Sequence, residues 1–180
     1  MGKGILIGLI IGALVVYLAL SQNAPEEAQS AANLSEAPEY VANKAVVEAM
    51  YKAFMDEDME TASALVADSV KWTSPVYGSE LDGGTKDEWR ALLQGYNDGF
   101  DDISMQETYY LPGLDEFTSE PDGSVRMYVH WKGTHTESGV VAEPWWYANL
   151  ELEGGKITRI VEFMDVGGMM GHIAAASAAK

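Results

Sequence analysis

The first residue that could do chemistry is Glu162, an acidic side chain inside an apolar segment. It lies two residues from Ile160 and two from Met164, so in a β-strand the three side chains share one face. Burial among apolar groups raises the pKa of a carboxyl group, because it disfavours the charged form. Glu162 is therefore a candidate general base. The alternative is a glutamate that is paired inside the protein or at a dimer interface.

Two histidines, His130 and His135, lie close together in the chain. An imidazole suits proton transfer near neutral pH, so His135 is a second candidate catalytic residue; the alternative is a histidine at the rim of a strand end. His130 shares its strand phase with Arg126 and Lys132, which favours an exposed face. With three histidines, no cysteine and no His-x-His or His-Glu-x-x-His spacing, the sequence predicts neither a metal site nor a cofactor.

Aromatic side chains form the third group, and they indicate binding. A hydrophobic cleft lined by aromatic rings with a few polar groups is typical of a small-molecule pocket, although aromatic stripes also build cores. Trp131 and Trp146 belong to this aromatic set. The residues expected to contact a ligand are Trp72, Tyr77, Trp89, Tyr96, Tyr109, Trp145, Tyr147 and Met164.

Three consecutive antiparallel strands must position most of these side chains. Apolar and polar residues alternate from Val125 to Lys132 and again from Trp145 to Glu153. Gly154 and Gly155 then supply a tight turn, and the third strand begins at Ile157. This third strand is apolar on both faces, which predicts a central strand that is covered twice.

Helices are predicted before these strands. A helical stripe runs from Val46 to Phe54, and a short helix follows around Met59 to Val66. A capping box at Thr85 opens a third helix that ends near Phe100. Short strands are expected at Val70–Trp72 and Ile103–Leu111. A polar loop is expected over Pro112–Gly123, and it either covers a pocket mouth or is a solvated insertion. A loose tail is expected after Asp165.

Charge and the N-terminal segment bound the partners and the location. The formal charge of -17 argues against binding to nucleic acid. The 17 apolar residues from Gly4 to Leu20 predict a single N-terminal membrane helix with the domain outside the cytoplasm, or a signal peptide whose cleavage yields a secreted or periplasmic protein. The expected organisation is a membrane segment over 1–20, a disordered linker over 21–39, a domain over 40–170 and a tail over 171–180.

The order of elements resembles the nuclear transport factor 2-like superfamily, from Tyr40 to Asp165. Leu65–Trp72 and Gly83–Trp89 resemble its motifs around the second and third helices, and Gly133-Thr134-His135 and Gly155-Lys156-Ile157 resemble its SnoaL-like, polyketide cyclase-like branch. The resemblance implies a cone-shaped α+β fold of the cystatin-like kind. Three N-terminal helices would pack on a curved antiparallel sheet, and a homodimer would form through that sheet.

The resemblance leaves several functions open. Isomerase-type members have a general base at the position of Ser74 and an acid at the position of Ala148, so that proton-transfer pair is missing here. Asn149 beside it can still donate a hydrogen bond to a carbonyl oxygen. Three hypotheses remain: a domain that binds a small hydrophobic or aromatic molecule, a lyase, cyclase or hydrolase using His135, Glu162 and Asn149, and a non-catalytic dimerisation module whose own Trp and Tyr side chains fill the cavity.

Overall fold

The computed structural model describes residues 31–179, and their side chains from residue 34 onward. A 3-10 turn over Ala31–Glu36 comes first, and residues 35–180 form one unit. The helices are α1 (Pro38–Met55), α2 (Met59–Ala64), α3 (Lys86–Gly99) and α4 (Val166–Ala178). The strands are β1 (Val66–Thr73), β2 (Phe100–Leu114), β3 (Pro121–His135), β4 (Val141–Ala142), β5 (Trp145–Glu153) and β6 (Lys156–Met164). This α+β architecture confirms the expected fold class.

The strands form one mixed sheet in the order β1-β6-β5-β3-β2, with β4 paired to β3. The predicted run of antiparallel strands is present, because β3, β5 and β6 pair in that manner. The expectation of a wholly antiparallel sheet is wrong in one place, since β1 runs parallel to β6. No turn joins these two strands, and so no local sequence signal fixes the direction of their pairing.

The helices pack on one face of this sheet. In α1, Val47, Met50 and Phe54 are buried against the sheet, as their helical spacing predicts. At the start of α3, the Thr85 hydroxyl oxygen accepts from the backbone N–H of Glu88, and the Glu88 carboxylate accepts from the backbone N–H of Thr85. The predicted capping box is therefore present, and it fixes where α3 begins.

A shift in register decides which side chains of β6 face the helices. The pairing of β5 with β6 shifts between Glu151 and Leu152, so Ile157 and Ile160 are both fully buried although three positions separate them. Glu162 follows on the same buried face. Phe163 points the other way and is 60% exposed, so the expectation that this strand is covered on both faces is not met within residues 31–179.

Two connecting segments differ from the sequence predictions. Half of the predicted loop Pro112–Gly123 lies in the strands β2 and β3, and residues 115–120 form the turn between them. The predicted loose tail contains the helix α4, whose first turn is capped where the Asp165 carboxylate accepts from the backbone N–H of Gly168, 2.7 Å away. Ile173 of this helix packs on Val140 and Ala142.

The expected membrane location is contradicted. Within the described range 31–179, no helix is both long enough and apolar enough to cross a membrane. The segment Gly4–Leu20, on which that expectation rested, lies outside the described residues, as does the first part of the predicted linker.

Candidate functional site

A cavity lies between the helices and the buried face of the sheet. The space open to the centres of water-sized molecules is about 80 Å³, enough for several waters or for part of an organic molecule. Its walls are mostly aromatic and aliphatic, with Glu162 and Lys132 as the charged residues among them. The lining residues are Tyr51, Phe54, Pro75, Leu93, Tyr96, Phe100, Ile103, Trp131, Lys132, Gly133, Ala142, Pro144, Trp146, Glu162, Met164 and Met169.

The carboxyl group of Glu162 is the polar centre of this cavity. The side chain is 6% exposed, and each of its two oxygens accepts one indole N–H. Trp72 Nε1 donates to Oε1 and Trp146 Nε1 donates to Oε2, each over 2.9 Å. The two donors come from β1 and β5, the strands on either side of β6. Neighbouring strands therefore hold the carboxyl group in one orientation.

Burial dominates the electrostatics of Glu162. Loss of solvent raises its pKa to about 7, although the bonds from Trp146 and Trp72 stabilise the charged form and act in the opposite direction. Such a group carries a proton in part of the molecules at neutral pH, so it can accept or release one. This is the property that a general acid–base catalyst needs.

Two tyrosines of the cavity keep their protons. Burial, and next the charge of Glu162, raise the pKa of Tyr51 well above its usual value. The same two causes raise the pKa of Tyr96 to about 12. Both hydroxyl groups therefore remain hydrogen-bond donors across the neutral range.

Aromatic contacts hold the walls in place. The Tyr51 ring meets the Trp146 ring edge to face, with centroids 5.3 Å apart, and lies 6.0 Å from the Trp131 ring. Phe54 meets Trp131 in the same manner at 5.9 Å. Contacts of this geometry stabilise a rigid aromatic surface beyond what burial alone provides.

Comparison with protein families identifies this fold. The SnoaL-like domain family matches residues 47–160, which is more than half of the chain. The chain belongs to the SnoaL-like domain family. A comparison with curated protein sequences gives no match.

Solved structures agree with this assignment at the level of fold. A proposed polyketide cyclase from Xanthomonas campestris pv. campestris has 18% identity and a TM-score of 0.59, with 75% of this chain and 98% of that chain covered. A proposed isomerase from Bacillus subtilis has 15% identity and a TM-score of 0.61, covering 74% and 95%. An NTF2-like protein from Burkholderia xenovorans LB400 has 18% identity and a TM-score of 0.54, covering 72% and 94%. At these identities the likeness shows the shared fold alone.

The three candidate catalytic residues of the SnoaL-like domain do not meet in one cavity. Only Glu162 lines it. His135 ends β3, where its Nδ1 lies 2.9 Å from the Ser138 hydroxyl oxygen and its ring lies against Phe100. Asn149 shares the strand phase of Trp145 and therefore lies on the other face of the sheet from Glu162. The hypothesis that His135, Glu162 and Asn149 act together loses its geometric basis.

The eight residues expected to contact a ligand separate in a similar way. Tyr96 and Met164 line the cavity, while Trp72 reaches it only through its bond to Glu162. Trp89 is buried in the core, and Tyr77 is fully exposed in the loop after β1. The remaining three, Tyr109, Trp145 and Tyr147, lie on the face of the sheet that points away from the helices.

Several wall residues were missed, and part of the signal was in the sequence. Trp146 alternates with Ala148 and Leu150, and Trp131 alternates with Val129, so both tryptophans share the phase of the buried face. Tyr51 and Phe54 belong to the buried stripe of α1. These patterns indicate burial, but they do not indicate that the packing leaves a cavity beside them. No cluster of three or more metal-ligating side chains occurs within residues 31–179, and the absence of a metal stays a prediction.

Proposed function

We propose that the SnoaL-like domain binds a small, largely apolar or aromatic molecule in the cavity, with a polar group of that molecule facing Glu162. One observation carries the proposal: open space remains beside a buried carboxyl group whose orientation two indole N–H groups fix. Burying an ionisable group costs stability, and such groups are found more often at functional sites than elsewhere. Apolar walls with one oriented polar group are typical of ligand pockets.

The dimerisation hypothesis predicts a different interior. In a purely structural module, the Trp and Tyr side chains would fill the centre of the domain. Here Tyr51, Trp131 and Trp146 pack edge to face, and about 80 Å³ remains between them and the opposite wall. This residual space supports binding over a structural role, and the homodimer stays a prediction.

A second candidate function is catalysis by Glu162 as a general acid–base group. The pKa of about 7 favours it, because proton transfer is most efficient when the catalytic pKa lies near the working pH. The hydroxyl groups of Tyr51 and Tyr96 would be the available donors to a substrate oxygen. In this version the enzyme is a lyase, cyclase or hydrolase that works without His135 and Asn149. Replacing either residue by Ala would then leave turnover within about threefold, whereas Glu162→Gln would lower it by at least about a hundredfold.

The binding proposal can be tested by blocking the cavity. Leu93→Phe adds a ring at the cavity wall, and Leu111→Phe adds the same ring on the exposed face of β2 as a matched control. We expect small aromatic compounds to raise the Tm of the wild type and of Leu111→Phe by several degrees, because a ligand stabilises the state that it binds. Leu93→Phe should lose most of that increase. Equal protection of both variants, or no protection of the wild type by any compound, would overturn the proposal.

A further inference from the structure

The buried carboxyl group of Glu162 has no cationic partner among the described residues. None of the ion pairs found within residues 31–179 includes it, and both of its hydrogen bonds come from neutral indoles. Among the described residues, Lys132 is the one basic residue of the cavity wall. Its side chain is 45% exposed and its Nζ lies 3.9 Å from Glu143 Oε1, so its charge is directed to the rim.

Glu162 also keeps unused acceptor capacity. A carboxylate offers about four lone-pair sites, and the two indole bonds occupy one on each oxygen. The remaining sites can accept further N–H donors. A protonated amine supplies up to three donors together with the opposite charge, and hydrogen bonds between charged groups are about twice as strong as neutral ones.

The walls around Glu162 favour a cation for a second reason. Aromatic rings attract positive charge to their faces, most strongly for tryptophan. The rings of the cavity are those of Tyr51, Phe54, Tyr96, Phe100, Trp131 and Trp146. A neutral hydrocarbon would use the walls and leave the carboxyl group unpaired, while an anion would be repelled by it. A formal charge of -17 over the whole chain adds a field that draws cations and repels anions.

We infer that the ligand of this cavity is a protonated amine with an apolar or aromatic body, whose ammonium group pairs with the Glu162 carboxylate. This inference rests on the proposed binding function and narrows its ligand to one chemical class. Burying an ion pair has a desolvation cost that offsets part of the attraction. The expected preference over a neutral ligand of the same shape is therefore about tenfold in Kd rather than several orders of magnitude.

Matched ligand pairs test the inference. The compounds are benzylamine with benzyl alcohol and isobutylamine with isobutanol, and benzoate is the anionic control. Binding to the full chain at pH 8 is followed through the fluorescence of the cavity tryptophans or by calorimetry. We expect each amine to bind about tenfold more tightly than its alcohol, and benzoate to give no measurable binding.

Two substitutions test whether the preference for amines over alcohols depends on the Glu162 carboxyl group. The test variant is Glu162→Gln, and the matched control is Glu153→Gln. Glu153 is exposed at the end of β5. The first substitution should weaken amine binding about tenfold and leave the alcohols within about threefold, whereas the second should change neither. In the wild type, amine affinity should fall by about tenfold in total as the pH drops from 8 to 5, because protonation of Glu162 removes the charge with which the ammonium group pairs. The other titratable groups of the cavity wall are Tyr51, Tyr96 and Lys132, whose charge is directed to the rim, and the two indoles donate to Glu162 directly.

The outcomes separate the inference from the function on which it rests. If the alcohols bind as tightly as the amines and Glu162→Gln changes neither, the amine inference is overturned and the binding proposal stands. If no compound binds, and none of a wider aromatic panel protects the wild type, both are overturned. If Glu162→Gln does not fold, the pH dependence of amine binding to the wild type decides, and an affinity that stays constant from pH 8 to pH 5 contradicts the inference.

Discussion

Trp145 and Trp146 are neighbours in the chain, yet the fold gives them opposite environments. Trp145 is 51% exposed and stacks flat on the His130 ring, with centroids 4.9 Å apart and an interplanar angle of 10°. Trp146 is 6% exposed and donates its indole N–H to Glu162. Successive side chains of a strand point to opposite faces. Two consecutive positions of one strand therefore hold a residue that contacts the carboxyl group of the cavity and a residue that lies on the surface.

The same difference extends over both faces of the sheet. On the outer face, Tyr147 lies between Tyr128 and Phe163, with ring centroids 4.9 Å and 6.2 Å away. These rings are partly or largely exposed, and no carboxyl group is buried among them in the part of the chain that the structure describes. On the inner face, rings of the same kinds surround Glu162. An excess of aromatic residues thus describes two surfaces, and only strand phase distinguishes them.

The largest expected effect comes from removing each tryptophan of this pair. Trp146→Ala should lower the free energy of unfolding by about 3–5 kcal/mol, because it removes a buried ring and one hydrogen bond to Glu162. Trp145→Ala should cost about 1 kcal/mol or less, since it removes an exposed ring and one stacking contact. Urea denaturation of both variants measures the two costs. Similar values for the two would show that strand phase does not separate these residues.

The second effect is a dependence of stability on pH that belongs to Glu162. Its folded-state pKa of about 7 lies above the ordinary value of 4.5, so the folded protein binds the proton more tightly than the unfolded chain. The stability that this proton contributes is complete below about pH 4.5 and is lost as the pH rises through about 7. From pH 5 to pH 8 the loss amounts to about 2–3 kcal/mol.

The comparison with Glu162→Gln isolates that contribution. All other titrating groups are common to both proteins. The unfolding free energy of the wild type minus that of Glu162→Gln should therefore be larger at pH 5 than at pH 8 by about 2–3 kcal/mol. The exposed Glu153→Gln variant serves as the control and should follow the wild type. A difference between wild type and Glu162→Gln that stays constant with pH would contradict the burial argument.

The smallest effect concerns one hydrogen bond. Trp72→Phe removes the indole N–H that stabilises the charged form of Glu162, so the pKa of Glu162 should rise by about one unit. Trp89→Phe is the matched control, because Trp89 is equally buried and makes no bond to Glu162. The pH at which the stability contribution of Glu162 is half lost reports the change in its pKa. An unchanged midpoint in Trp72→Phe would mean that this bond does not set the charge state.

Local patterns in the sequence predict much of this fold. The capping box at Thr85, the turn at Gly154–Gly155 and the alternation along β3 and β5 are short-range signals, and all of them are present in the structure. The apolar neighbours of Glu162 likewise predicted its burial. Such signals succeed because hydrogen bonds and burial along one element depend on a few adjacent residues.

Other features depend on contacts between distant segments. The parallel pairing of β1 with β6 joins residues about ninety positions apart, for example Trp72 with Ile160. The helix α4 has a weak pattern, because Ala, Gly and Met fill most of it and no clear polar face marks it. Asn149 was predicted to lie in the site because it is adjacent to Ala148, the position at which isomerase-type members have an acid. Adjacent residues of a strand point to opposite faces, so this prediction from sequence proximity had no basis in strand geometry. The free space beside Glu162 depends on how all these elements pack.

A ¹³C NMR titration of the Glu162 carboxyl carbon, assigned by comparison with Glu162→Gln, tests most directly whether Glu162 is the buried titrating centre of the cavity. The chemical shift reports the protonation of this one group in the folded protein. We expect a midpoint near pH 7 in the ligand-free domain, because burial outweighs the two indole hydrogen bonds. A midpoint near 4.5, the ordinary value for a glutamate, would contradict the assignment of Glu162 as the buried titrating centre of the cavity.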